Sequence, residues 1–238
     1  MDVKEEDVLG NDAGRHWYYR AKSRAMLRYV EVLAPTSILD IGAGSGFFSK
    51  ELLQKTTARE ALCIDTSYRS DKQQNIAGKP IRFRTHCGPV DADLVLMMDV
   101  LEHVDDDVGL LREYMQKVPD RSYFLVTVPA FEFLWSSHDV FLEHKRRYTL
   151  SQVETLVRTA GLRVEAAAYY YGFVFPLAAT VRLLERLRQR GERQPRSQLR
   201  HHSFIANQIL GAICAGELPF LKLNRLAGLT VFCLASKQ

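Results

Sequence analysis

Ile38-Leu39-Asp40-Ile41-Gly42-Ala43-Gly44-Ser45-Gly46 decides how this chain folds: a short apolar strand runs into three glycines at alternate positions, and Phe47 and Phe48 then open a helix. Glycine permits positive φ and lets backbone approach a ligand closely. Open α/β sheets bind their ligands at the carboxyl edge of such a strand. The turn therefore implies a nucleotide-like ligand. The next apolar strand, Ala61 to Ile64, ends in Asp65, a carboxylate suited to accept from both hydroxyls of a ribose.

Two kinds of cofactor share this geometry. A dinucleotide site takes Gly-x-Gly-x-x-Gly, which seats a pyrophosphate on the helix N-terminus, whereas here the third glycine comes one residue early. Asp40, two positions before the first glycine, would repel a pyrophosphate and attract a cationic amine in a partly dry pocket. The pattern favours a nucleoside that carries an amino-acid moiety. A nicotinamide-dependent oxidoreductase stands as the alternative enzyme class, and a non-catalytic cofactor-binding accessory protein as a third reading.

Outward from the glycine turn, apolar runs of strand length alternate with segments of helical period, as expected of a largely parallel sheet covered on both faces. The expected strands are Ser37 to Ile41, Ala61 to Asp65, Ile81 to Thr85, Leu94 to Met98, Tyr123 to Val128, Leu162 to Tyr169 and Leu229 to Ala235, seven in all. Arg15 to Leu33, Gly46 to Gln54, Asp107 to Met115 and Ser151 to Ala160 read as helices, the last with Ser151 as N-cap and Gly161 past its end. Gly172 to Asn224 breaks this rhythm. It holds two apolar helical segments, Phe173 to Leu187 and Phe204 to Leu221, joined by a linker from Arg190 to His202 that is expected to be mobile. The expectation is one α/β domain over residues 1–238, with a helical insertion at 172–224 between the last two strands.

Composition excludes several classes. With 47% hydrophobic and 25% charged residues the chain is neither disordered nor fibrous. Cys63, Cys87, Cys214 and Cys233 form no Cys-x-x-Cys pair, so neither a zinc site nor a disulfide framework is indicated. Met1 to Asp12 is acidic and lacks the apolar core of a targeting signal, and the charge-free stretch from Ala166 to Val181 is too short to span a bilayer. A cytoplasmic protein is expected. The net charge is only +4, but seven arginines between Arg182 and Arg200 face just Glu185 and Glu192. That imbalance points to local contact with something anionic, not to a general nucleic-acid binder.

In its motifs the chain resembles the class I S-adenosylmethionine-dependent methyltransferases, whose first motif is Asp-x-Gly-x-Gly-x-Gly and whose second is an acid ending strand two. Asp93-Leu94-Val95-Leu96-Met97-Met98-Asp99-Val100-Leu101-Glu102-His103-Val104 is similar to the fourth-strand signature of the subgroup that includes ubiquinone-pathway O-methyltransferases. Trp17 to Arg28 matches an aromatic, arginine-bearing helix that closes over the cofactor. The resemblance covers roughly Arg15 to Gly161 and the last strand, and implies a Rossmann-like sheet with S-adenosyl-L-methionine as cofactor. Carried over, Gly42, Gly44 and Gly46 would line the methionine and ribose, Asp65 would take the ribose hydroxyls, Met98 and Asp99 would contact the cofactor, and Arg24 would neutralise its carboxylate. Where relatives place an acid after strand three, this chain has Thr85, His86, Cys87 and Gly88. His86 or backbone would then meet the adenine.

Methyl transfer to a hydroxyl needs in-line placement and gains from a base. His103, His138 and His144 are the candidate catalytic residues, with Trp17, Arg147 and Tyr148 as candidates to hold the acceptor. Ser136-Ser137-His138-Asp139 and Glu143-His144-Lys145-Arg146-Arg147-Tyr148 form a dense loop of histidines, acids and cations, read as the acceptor side of the site. No metal site is expected, because Glu102 has no second ligand at a recognisable spacing. The acceptor is expected to be a small or lipid-linked molecule, with residues 173–202 as a peripheral membrane contact or, alternatively, a sheet-edge or dimer contact.

Overall fold

Apolar residues on both sides of a strand demand cover on both faces of the sheet, and β1 (Ser37–Ile41) is buried in this way. In chain order the other elements are α1 (Trp17–Val30), which precedes it, then α2 (Phe47–Lys55), β2 (Glu60–Ile64), β3 (Lys72–Ile76), β4 (Lys79–Arg84), β5 (Leu94–Met98), α3 (Asp107–Lys117), β6 (Tyr123–Pro129), α4 (Ser137–Leu142), α5 (Leu150–Ala160), β7 (Arg163–Tyr170), α6 (Phe175–Arg188), α7 (Phe204–Glu217) and β8 (Thr230–Ser236). The computed structural model describes residues 14–188 and 203–238. Met1 to Asp12 and the Arg190 to His202 linker lie outside the described residues.

The sheet order is β3-β4-β2-β1-β5-β6-β8-β7. β4, β2, β1, β5 and β6 run parallel, while β8 is antiparallel between β6 and β7. The strand count is eight, not the expected seven. The added strand, β3, is the edge segment Lys-Gln-Gln-Asn-Ile, largely exposed, which pairs antiparallel with β4 through Ala77 and Gly78 at φ 52° and 78°. It carries no apolar alternation, so its formation rests on backbone pairing across a two-residue turn with positive φ at both positions.

Side chains along β1 alternate between two cores. Ile38 joins Met26 and Tyr29 of α1, Leu52 of α2, and Cys214 of α7 on one face. Leu39 and Ile41 join Leu111 of α3 and Val153 and Val157 of α5 on the other. The inserted helices also attach to the sheet and to α1. Gly172 donates its amide to the buried Glu217 at 2.8 Å. The Asn207 side chain accepts from the Trp17 amide at 2.7 Å and donates to the Arg15 carbonyl at 2.8 Å. Among the described residues, Phe204–Leu223 is long and apolar enough by length and composition to cross a membrane, a span the charge-free reading of Ala166 to Val181 did not consider. All four cysteines are free.

One cap differs from the expected one. α5 begins at Leu150, and Thr149, not Ser151, is its N-cap: the Thr149 hydroxyl accepts from the Gln152 amide at 3.3 Å, while the Gln152 side chain accepts from the Thr149 amide at 2.7 Å. The reciprocal Thr-x-x-Gln box satisfies two end donors that Ser151, already inside the first turn, cannot reach. Gly161 ends the helix at φ 104°, as expected. Thr149→Ala should cost about 1 kcal/mol of stability and Ser151→Ala less than half of that, measured by urea unfolding.

Candidate active site

The glycine turn is built as its spacing implies. Gly42, Gly44 and Gly46 have φ of 64°, 53° and 71°, the left-handed region that other residues enter only with strain. A Cβ on Gly42 would stand 2.7 Å from Val100, and one on Gly46 would stand 2.9 Å from the Phe83 ring. Asp65 lies against this loop at the end of β2. One of its oxygens accepts from the Gly44 amide at 2.9 Å, and the other accepts from the amide and hydroxyl of Ser67 at 2.9 and 2.6 Å. These left-handed glycines and the adjoining carboxylate fit a nucleoside cofactor.

Asp40 is buried beneath the glycine turn. β1 alternation turns it under the loop toward α2, where its carboxylate accepts from the Ser49 hydroxyl at 2.7 Å and is 2% exposed. Burial, with the charge of Asp65, pushes its pKa up to about 6 against the Ser49 hydrogen bond. The side chain fastens strand to helix and is not displayed to an open pocket. Met98 likewise lies in the core, its sulfur 3.9 Å from the Thr127 hydroxyl oxygen.

The cation at the strand ends is Lys22, not Arg24. Arg24 lines a groove between α1 and α7 with Asn207 and Gly211, because two residues along a helix turn a side chain by about 200°. Lys22 is fully buried and forms an ion pair with Asp99. Burial opposes its charge, but the Asp99 carboxylate overcomes this and raises its pKa; Asp99 is correspondingly held below the usual carboxylate range. Asp99 stands at φ 59° and accepts from the Thr127 hydroxyl at 3.0 Å. It is therefore committed to Lys22 and Thr127. The sequence carries a signal for this: Lys22 falls in the apolar stripe of Tyr19, Met26, Tyr29 and Val30, at i and i+3 or i+4 spacing.

A cavity of about 210 Å³ opens beyond Asp99, lined by Trp17 and Tyr18 of α1, Glu102, His103, His138, His144 and Arg147, among others. The 136–148 loop is shaped by Asp139. This buried carboxylate accepts from the Ser136 amide at 2.8 Å and from Arg147 Nε at 2.7 Å, and meets His144 Nδ1 at 3.0 Å. Burial alone would raise its pKa, but the His144 hydrogen bond and the Arg147 guanidinium hold it well below the usual range. All three candidate histidines thus meet at one cavity; the His103 and His144 rings lie 4.9 Å apart.

Of the residues read as acceptor-binding, Trp17 lines the cavity, and so does Arg147, although its guanidinium is taken up by Asp139 and the Ala130 carbonyl at 3.0 Å. Tyr148 is turned away from it: its buried hydroxyl donates to Asp107 at 2.9 Å, tying β6's exit to α3.

Glu102 is the residue that sequence spacing could not place. It is fully buried, neither carboxylate oxygen has a hydrogen-bond partner, and its pKa is raised well above the usual range by burial and the Asp99 charge. His144 Nε2 is 4.0 Å away. Glu102, His103 and His144 bring ligand atoms within 4.8 Å of one another. Nitrogen and oxygen donors of this kind suit a divalent cation. The fold brings His144 from another loop to the side of Glu102, a proximity that linear spacing did not reveal.

Residues 15–167 match the family model described as a methyltransferase domain, and the chain belongs to that family. It is a class I enzyme whose cofactor is S-adenosylmethionine, which removes the nicotinamide reading. Among solved structures it is similar to a SAM-dependent methyltransferase from Archaeoglobus fulgidus (17% identity, TM-score 0.51, 92% of this chain and 94% of that one). It is also similar to the plantazolicin methyltransferase BpumL, solved with a monoazolic desmethylPZN analog and SAH (12%, 0.55, 99% and 89%), and to the 4+2 cyclase SpnF (13%, 0.56, 92% and 81%). At these identities the likeness concerns the fold alone. No curated protein matches the sequence.

Asp65→Ala, which frees the Gly44 amide, should weaken S-adenosylhomocysteine binding by about tenfold or more in calorimetry, a loss in the range of a charge-assisted hydrogen bond; unchanged affinity would remove Asp65 from the site. Asp40 makes a second prediction. Its folded pKa of about 6 lies above the ordinary carboxylate value of 3.8, so the stability it contributes is full below pH 4 and is lost as pH rises through 6, by up to roughly 3 kcal/mol. Asp40→Asn should flatten that part of the pH dependence of urea unfolding relative to wild type.

Proposed function

We propose that the chain transfers a methyl group to an oxygen of a small or lipid-linked acceptor seated in the cavity beyond Asp99, with His144 as the base. The observation that carries this is the Asp139–His144 contact of 3.0 Å in the cavity wall. A buried carboxylate on Nδ1 fixes the tautomer, leaving Nε2 to take a proton. S-adenosylmethionine supplies the methyl group on a sulfonium that is already a good leaving group. The protein's tasks are then placement and proton removal. The glycine turn and Asp65 hold the cofactor. The Lys22–Asp99 pair and the Trp17–Tyr18 wall close the space where the acceptor hydroxyl meets it, and that hydroxyl gives its proton to His144.

A second reading is favoured by the unpartnered oxygens of Glu102. Glu102, His103 and His144 would hold a divalent cation that acidifies the acceptor hydroxyl as a Lewis acid. For the acceptor itself, the support is the arginine run between residues 182 and 200, which suits a phosphate-bearing, lipid-linked molecule and a membrane surface.

His144→Ala should lower turnover on a hydroxyl acceptor by about 10² to 10⁴-fold, leave S-adenosylhomocysteine affinity unchanged, and be partly rescued by imidazole. His138→Ala should raise KM more than it lowers kcat. Activity that disappears on chelation and returns with added Mg²⁺ or Zn²⁺ would decide for the cation instead.

A further inference from the structure

A helix packed on a domain normally shows charge on its outer side. α7 does not: from Ser203 to Gly216 there is no charged residue. Its inner stripe, with Cys214 and Glu217 buried, rests on the domain, while Phe204, Ile205 and Ile209 on the outside are 76%, 70% and 55% exposed. The apolar surface continues past the helix at Phe220, Leu223 and Leu226, all largely exposed. Single exposed leucines need no explanation, but a patch of this extent marks an interaction surface.

We infer that the outer side of α7 and the turn after it lie in the headgroup region of an anionic lipid bilayer. This deepens the lipid-linked reading above and rests on it only for what enters the cavity. Charge selects the occupant. The chain reaches Ser203 directly from the segment holding seven arginines against two glutamates, and basic segments beside an apolar helix are drawn to anionic lipid. A second copy of the chain would fit less well, because a two-fold contact places the same patch on both partners, and each patch adjoins in sequence a segment of the same net positive charge. Crossing the bilayer would require stripping the inner stripe from α1 and exposing Glu217, which accepts the Gly172 amide.

The seated helix also meets the rim of the cavity. Trp17, whose amide is held by Asn207 of α7, and Arg182 of α6 both line it. A surface-bound enzyme would thus take its acceptor from the lipid phase.

The test is sedimentation of the full chain with vesicles of phosphatidylglycerol and phosphatidylcholine, against phosphatidylcholine alone. Binding to the anionic vesicles should be about tenfold stronger at low salt and fall at high salt. Ile209→Asp combined with Ile213→Asp should abolish it while S-adenosylhomocysteine affinity stays unchanged. For wild type, brominated lipid should quench Trp17 fluorescence in a Trp135→Phe background, a readout that does not depend on the double variant folding. Absence of wild-type binding, or full binding by a variant that still takes the cofactor product, overturns the inference. So does a wild-type dimer that the variant dissociates without any vesicle binding. Turnover on a soluble acceptor with no vesicle binding would retire the membrane surface and leave the methyl-transfer reading standing.

Discussion

The Lys22–Asp99 ion pair is the constraint on which the site's architecture depends. Lys22 is fully buried while the Asp99 side chain keeps 26% exposure toward the cavity, so removing Asp99 would strand a buried ammonium at a cost of roughly 3–5 kcal/mol. The pair ties α1 to the carboxyl end of β5 and so fixes the wall that α1 gives the cavity. Tyr18 follows: its ring stacks on Tyr171 at 5.2 Å, and the Tyr171 hydroxyl donates to its carbonyl at 2.7 Å. Trp17 is held from the other side by Asn207. A helix that could otherwise roll on the sheet by its apolar stripe has one orientation, and the residues facing the cavity are determined by it.

Three carboxylates around one cavity, Glu102 and Asp139 buried and Asp99 partly exposed, are in different electrostatic states, and their partners explain why. Asp99 has Lys22, and Asp139 has Arg147 and His144, so both are held ionised. Glu102 has neither a cation in contact nor a hydrogen bond, and the nearby negative charge of Asp99 adds to its burial. A buried polar group without partners is a cost that a fold retains for some purpose. Glu102 is the carboxylate that the fold leaves without a hydrogen bond beside His103 and His144 at the cavity wall.

Much of this was legible in the chain. The glycine turn, the acid ending β2 and the alternation of apolar runs with helical periods gave the sheet, because strands buried on both faces write their burial continuously into sequence. Strand β3 was not legible, since a polar edge strand is held by backbone hydrogen bonds that leave no pattern in side chains. At the site, the density of the 136–148 loop drew attention to the segment in which Asp139, His144 and Arg147 come into contact. It could not tell that Tyr148 turns to Asp107, because that depends on where α3 ends up. The burial of Asp40 on Ser49 and the position of Arg24 in the groove between α1 and α7 were not legible for the same reason: a resemblance specifies residue types at positions, whereas strand alternation and helix phase decide which way they face. Lys22 was recoverable from phase alone.

The fold is shared with proteins that transfer methyl groups and with one that its describers call a cyclase, so the sheet does not select the reaction. Selection must come from the cavity wall. Here that wall is assembled from separate segments, each anchored by its own pair: α1 by Lys22 on Asp99, the 136–148 loop by Arg147 on the Ala130 carbonyl, and α6 by Arg182 on the Leu134 carbonyl at 3.1 Å. Asp99, Arg147 and Arg182 line the cavity beside Trp17, His138 and His144, and Arg147 shares the Asp139 carboxylate with His144. The groups that anchor the wall therefore also face its interior, so a change in the cavity lining has to be made without releasing those anchors.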